Sequence, residues 1–233
     1  MLVTARKLTK VYKTGKVETP ALRGVDLDFR EGEFTAIVGP SGSGKTTLLN
    51  LIGALDSATG GELKVLGRDV STLSKRARAD MRLRELGFVF QAYNLIPVLT
   101  ARENVEFVLE LQGVGRERRR RASEVLEQLG LSELAWRRPG ELSGGQQQRI
   151  AVARAVASLP RLVLADEPTA NLDGENAEVL LQMMRNLNEK RRITFLFSTH
   201  DPRVVSHARR VVTLVDGRVE DDKNVEHPTS NVE

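Results

Sequence analysis

Gly39-Pro40-Ser41-Gly42-Ser43-Gly44-Lys45-Thr46 decides how this chain folds. The stretch fits the pattern G-x-x-x-x-G-K-[ST]. Upstream, Phe34 to Val38 is a short apolar run of the kind that forms a buried strand. Downstream, Thr46 to Leu55 reads as a helix. Glycines between a strand and a helix let the backbone curl so that successive N–H groups face a phosphate chain. The helix start adds the positive end of its dipole. Lys45 is then placed for the β- and γ-phosphates of a nucleotide, and the Thr46 hydroxyl for Mg²⁺. Gly/Ser turns are common, but the flanking strand and helix are the context that this chemistry requires.

A second apolar run, Leu162-Val163-Leu164-Ala165, delivers Asp166 and Glu167 at its end. Ligands of parallel sheets bind at the carboxyl ends of the strands. Asp166 suits the Mg²⁺-side carboxylate of a phosphate-loop enzyme. Glu167 is expected on the opposite face, because neighbouring strand residues alternate, and there it would polarise an attacking water. Two acids capping a strand mean little alone. With the phosphate loop upstream they become a reactive pair.

Other elements extend the pattern. Val25, Leu27 and Phe29 alternate with Asp26, Asp28 and Arg30 as in a half-buried strand. Phe88 to Phe90 and Ile193 to Phe197 are further strands, and Glu175 to Arg191 is a helix. Thr100 with Glu103 forms a capping-box pattern before a helix carrying Val105, Val108 and Leu111. Val211 to Val215 and Arg218-Val219 read as a hairpin across Asp216-Gly217. Strands alternating with helices imply an α/β fold with a mainly parallel sheet, into which a charged, helical middle (91–158) is inserted. The polar tail 221–233 is expected to be disordered.

Bulk properties narrow the classes. At 233 residues, one domain is favoured. Aromatics are 4% against 40% hydrophobic residues overall, so the core must be aliphatic. The absence of cysteine excludes disulfides and thiolate metal sites. A balance of 35 basic to 31 acidic residues suits polyanionic ligands or lipid headgroups without marking a dedicated nucleic-acid binder. Met1 to Lys13 has no apolar core, which argues against a signal peptide. No stretch approaches the roughly 18 apolar residues that span a bilayer. If the protein acts in a membrane, something else must supply the membrane part.

Leu142-Ser143-Gly144-Gly145-Gln146 opens a helix carrying Ile150, Ala153 and Val156, a second anion-binding helix start on one chain. This segment resembles the signature of ABC ATPases, and every motif from about Leu2 to Val219 stands in that family's order. The resemblance implies a phosphate-loop NTPase core with a mainly parallel sheet, an antiparallel β subdomain and an inserted helical subdomain. Residues 1–90 and 159–220 would form the core and β subdomain, and 91–158 the helical subdomain. It implies an ATP hydrolase with ATP and Mg²⁺, held by Gly39 to Thr46 with Thr47. The metal would be held by Thr46, Gln91 and Asp166. Tyr12 is similar to the aromatic that stacks on adenine, Gln91 to the glutamine of the Q-loop, Asn171-Leu172-Asp173 to the D-loop, and His200 to the switch histidine at the γ-phosphate. Glu167, His200 and Gln91 would be catalytic. Ser143, Gly144, Gly145, Gln146 and Asp173 would serve the nucleotide of a second ATPase subunit in a sandwich dimer.

Within the family, Gly53-Ala54-Leu55-Asp56 and Gln91 to Val105 resemble lipoprotein-releasing and macrolide-efflux exporters. That implies a membrane permease partner and a peripheral place on the inner face of the cell membrane. Residues Ala92 to Val105, with Tyr93, Leu95, Ile96, Pro97 and Val98 as an exposed apolar cluster, would dock the permease. A regulator of cell-wall enzymes acting through a membrane protein is the alternative. Soluble repair or translation ATPases are disfavoured, because this chain has no coiled-coil insertion and a single set of motifs. The run Arg116-Glu117-Arg118-Arg119-Arg120-Arg121 reads either as a solvated helix face or as a contact for anionic headgroups.

Overall fold

The computed structural model describes residues 1–225. The chain begins with β1 (Val3–Thr14), β2 (Val17–Phe29), β3 (Phe34–Val38), α1 (Lys45–Ile52), β4 (Gly60–Val65) and β5 (Arg68–Asp69). It continues through α2 (Lys75–Glu85), β6 (Leu86–Val89), α3 (Ala101–Leu111), α4 (Arg118–Gln128) and α5 (Gly144–Val156). It closes with β7 (Leu162–Asp166), α6 (Gly174–Arg191), β8 (Thr194–Thr199), α7 (Pro202–His207), β9 (Arg210–Val215) and β10 (Arg218–Asn224).

Two sheets form. An antiparallel sheet has the order β2-β1-β4-β5, and a larger one β10-β9-β3-β8-β7-β6. In the larger sheet β3 pairs in parallel with β8 and β9, and β7 in parallel with β6 and β8. Four parallel strands, β6, β7, β8 and β3, thus send their carboxyl ends to one edge, where Gln91, Asp166-Glu167, His200 and the glycine loop follow in turn. The continuous apolar character of β3, β7 and β8 follows from burial on both faces. One core lies between this sheet, α1 and the antiparallel sheet. The other lies under α3 to α6, where Phe34 and Phe197 meet edge-on at 4.5 Å between ring centroids.

Some expectations change. Helix α1 stops at Ile52, three residues short of Leu55, because Ala54 turns left-handed (φ +53°) and the Leu55 N–H folds back to the Asn50 carbonyl at 2.9 Å. The buried face of α3 is Ala101, Val105 and Leu109, whereas Leu111 is 55% exposed. Strand β10 reaches Asn224, so 221–224 are ordered in the hairpin with β9 rather than part of a loose tail. Residues 226–233 lie outside the described residues. Strand β1 escaped the sequence reading because its pairing with β2 shifts register between Ala5 and Leu8, which breaks the period of two.

Candidate functional site

The phosphate loop closes tightly against its surroundings, and glycine is required where it does. Gly39 has φ +148°, and a Cβ there would lie 2.0 Å from the Leu214 carbonyl oxygen. Gly44 has φ +102°, and its Cβ would lie 2.5 Å from the Ala21 oxygen. Both the backbone angle and the close approach exclude a larger residue. Helix α1 starts behind this loop with no side-chain cap, so its first N–H groups remain available to an anion. Lys45 is buried, and its ammonium donates to the carbonyls of Gly39 (2.9 Å) and Pro40 (3.0 Å).

Gly39, Pro40, Ser41, Gly42, Ser43, Gly44, Lys45, Thr46 and Thr47 line one cavity of about 580 Å³ together with Gln91, Glu167 and His200. Three segments far apart in sequence thus meet around the loop. Ser43 Oγ and Glu167 Oε2 are both buried there without a hydrogen-bond partner. Buried polar atoms cost free energy when unpaired, and these two are free to pair with a ligand that enters the cavity.

Asp166 sits at the last residue of β7, where the Thr46 hydroxyl donates to its Oδ1 at 3.0 Å and the Ser198 hydroxyl donates to the same oxygen. Glu167 leaves the strand altogether. Its φ is +48°, in the left-handed region, and its N–H donates to the Ser198 carbonyl at 2.9 Å. The two carboxylates diverge through this turn and not through strand alternation. Such a conformation in a non-glycine residue costs of order 1–3 kcal/mol and concentrates at functional sites. His200 Nδ1 lies 2.8 Å from Glu167 Oε1, which fixes the carboxylate.

The pairing of Thr46 with Asp166 is an all-oxygen donor set, which fits Mg²⁺. That ion takes one or two carboxylates and completes its shell with phosphate oxygens and water. Among the described residues no cluster of three His, Cys, Asp or Glu exists that would cage a metal by itself. A site finished by the nucleotide's own oxygens agrees with this.

The structure leaves Tyr12 outside the lining of that cavity. Its hydroxyl donates to Asp56 at 3.0 Å, and the Lys10 ammonium stands 4.7 Å from its ring centre. Ser143 to Gln146 and Asp173 also lie outside it. Ser143 is the N-cap of α5: its Oγ accepts from Gln146 N–H, and the Gln146 side chain accepts from Ser143 N–H, a complete capping box. Gly145 has a packing reason, since a Cβ would lie 2.4 Å from Asn176 Oδ1 on α6. Asp173 caps α6, and the Asn176 N–H and amide that it accepts hold its carboxyl below the usual range. Behind His200, burial pushes the Asp201 carboxyl up, but bonds from Arg203 and Thr169 outweigh this and hold it low.

Sequence reasoning missed the groups that tie these loops together. Buried Gln148 on α5 donates to the Pro168 carbonyl at 2.9 Å and to the Phe90 carbonyl at 3.4 Å. Arg154 donates to the carbonyls of Tyr93 and Asn94, both in left-handed conformation. Asn171 donates to the Gln91 carbonyl at 3.0 Å. The available signal was a polar residue on the apolar face of the α5 helix.

A family model described as ABC transporter matches residues 22–170. The lipoprotein-releasing system ATP-binding protein LolD of Anaeromyxobacter dehalogenans is 51% identical over 212 residues, covering 90% of this chain and 89% of its own. The macrolide export ATP-binding/permease protein MacB of Syntrophobacter fumaroxidans is 44% identical over 222 residues, which are 94% of this chain and 31% of that one. Among solved structures, the dimeric, post-hydrolysis ATP-binding cassette MJ0796 bound to ADP and Pi superposes with a TM-score of 0.89 at 43% identity. The match covers 97% of this chain and 100% of that one. With the phosphate loop, the acidic pair and the capped second loop in place, this chain belongs to the ABC transporter family, as one of its ATP-hydrolysing cassettes.

Proposed function

We propose that two copies of this chain close on ATP and thereby drive a membrane permease of the lipoprotein-release or macrolide-efflux type. The phosphate loop and Lys45 bind the β- and γ-phosphates of one ATP. Ser143, Gly144, Gly145 and Gln146 of the second copy cover it, with Asp173 at the interface. The observation that carries this reading is that the second loop lies outside the cavity of its own chain. The dimeric cassette MJ0796, similar across 97% of this chain, supports it. Thr46, Asp166 and Gln91 would hold Mg²⁺, which supplies charge neutralisation at the phosphates. Glu167, oriented by His200, accepts a proton from the attacking water as the oxygen bonds to the γ-phosphorus and ADP leaves. Such assistance contributes about 10²–10⁴-fold. Tyr12 stacks on the adenine. We place the chain at the cytoplasmic side of the membrane, against the permease that it drives; no helix among its described residues is long and apolar enough to cross a membrane.

Permease docking falls to Ala92–Val105. Leu95 packs partly into the helical core and Ile96 is half-buried, with both its backbone groups bound to Asn104. Polar replacements there would test folding. Val98, 73% exposed, is the clean probe. Val98→Asp should lose a permease that co-purifies with the native chain from detergent-solubilised membranes, with basal hydrolysis intact. Retention of the permease would remove this segment from the docking surface.

A further inference from the structure

We infer that the face built from Trp136, Arg116 and Arg119 binds the headgroup layer of an anionic lipid bilayer. Trp136 is 65% exposed, a costly position for the largest apolar ring. Beneath it, the buried Arg102 guanidinium lies 3.9 Å from the ring centre, and Arg119 lies 5.9 Å away. Arg102 is held from its other side by Glu106 at 2.8 Å, in a geometry that makes an ion pair rather than a hydrogen bond. The ring is therefore propped outward on a fixed cation. A cleft of about 300 Å³ beside it is lined by Arg102, Glu103, Glu106, Arg116, Arg118 and Arg119.

The acids around this cleft are paired within the chain. Glu103 closes the Thr100 capping box, Glu106 holds Arg102, and Glu117 and Glu124 both bind Arg120. Arg116, Arg119 and Arg137 are exposed and, among the described residues, have no carboxylate within 4.0 Å. Uncompensated guanidinium groups around an exposed indole match phosphodiesters at a membrane interface, where tryptophan settles at headgroup level. An acidic protein segment would satisfy the cations but offers the ring no apolar layer to enter.

The location agrees. Ala101 N–H donates to the Arg137 carbonyl at 2.8 Å and Arg102 N–H to the Ala135 carbonyl at 3.0 Å, so Trp136 is tied to the first turn of α3. Exposed Pro97 and Val98 lead into the same turn. The patch is thus continuous with the segment assigned to the permease, and for its orientation toward the bilayer it rests on that reading.

Trp136 is the single tryptophan of the chain, so intrinsic fluorescence reports this face alone. With the whole chain and no permease, phosphatidylglycerol-containing vesicles should shift emission to the blue, and brominated acyl chains should quench it. Pure phosphatidylcholine vesicles should do neither. Each cation removed near such a surface should weaken partition about fivefold. Arg116→Glu with Arg119→Glu should therefore weaken it at least about 25-fold, with ATP turnover in solution unchanged as proof of folding. Trp136→Ala should lower co-sedimentation without touching turnover. Unchanged emission with anionic vesicles overturns the inference. So does an equal response to inorganic phosphate, or a response to purified permease in neutral detergent only. Permease co-purification by the arginine variants separates this failure from failure of the docking segment.

Discussion

Two loops of this chain use the same device, glycines at a helix start, and finish it in different ways. Behind Gly39 to Gly44, helix α1 begins uncapped, Lys45 is buried, and Ser43 Oγ has no partner. Behind Ser143, helix α5 begins with a capping box that engages the N–H groups of Ser143 and Gln146 and leaves those of Gly144 and Gly145 outside it. The first loop is left open for an anion that it meets in its own chain. The second is capped in part, by its own side chains. On the proposed reading, this asymmetry lets one chain bind ATP alone and still need a copy to complete the site.

The largest test bears on the first loop's cavity. Glu167→Gln keeps the shape of the carboxylate but cannot take a proton from water, so phosphate release should fall about 10²–10⁴-fold. Near-normal turnover would point to another base, with His200 at 2.8 Å the first suspect. Next, Lys45→Ala removes a charge-assisted contact worth about 1.5–3 kcal/mol. Calorimetry should show ATP affinity falling in proportion, and unchanged affinity would place the phosphates elsewhere. The smallest effect should appear at the second loop. Gly145→Ala pushes a methyl group into Asn176, an overpacking cost of about 1–3 kcal/mol. The first loop does not share that contact, so ATP binding to the monomer should be untouched while dimerisation weakens. Equal loss of both would mean that the two loops are not separable.

The sequence announced the first loop more fully than the second. Phe34 to Val38 and Leu162 to Ala165 are buried on both faces, so their apolar runs mark strand ends where chemistry follows. Glu167 was legible as a functional acid but not as a left-handed residue, because its φ is set by the Ser198 carbonyl that it meets across the sheet. Leu111 looked buried by periodicity, yet α3 turns Leu109 inward instead. Gln148 stood out as a polar residue on an apolar helix face, but the loop carbonyls that it and Arg154 bind come from distant segments and left no local trace. Gly145 looked like an anion-binding glycine, and only the approach of α6 adds its packing role.

Sizing chromatography of Glu167→Gln, with and without Mg-ATP, tests the shared site most directly. Without hydrolysis, ATP held by the first loop should keep recruiting the second loop of another copy. The expected result is a monomer without nucleotide and a stable dimer with it. Adding Ser143→Arg should return the protein to monomer, with ATP binding to that monomer preserved. A monomer under both conditions, or a dimer that survives Ser143→Arg, would contradict it.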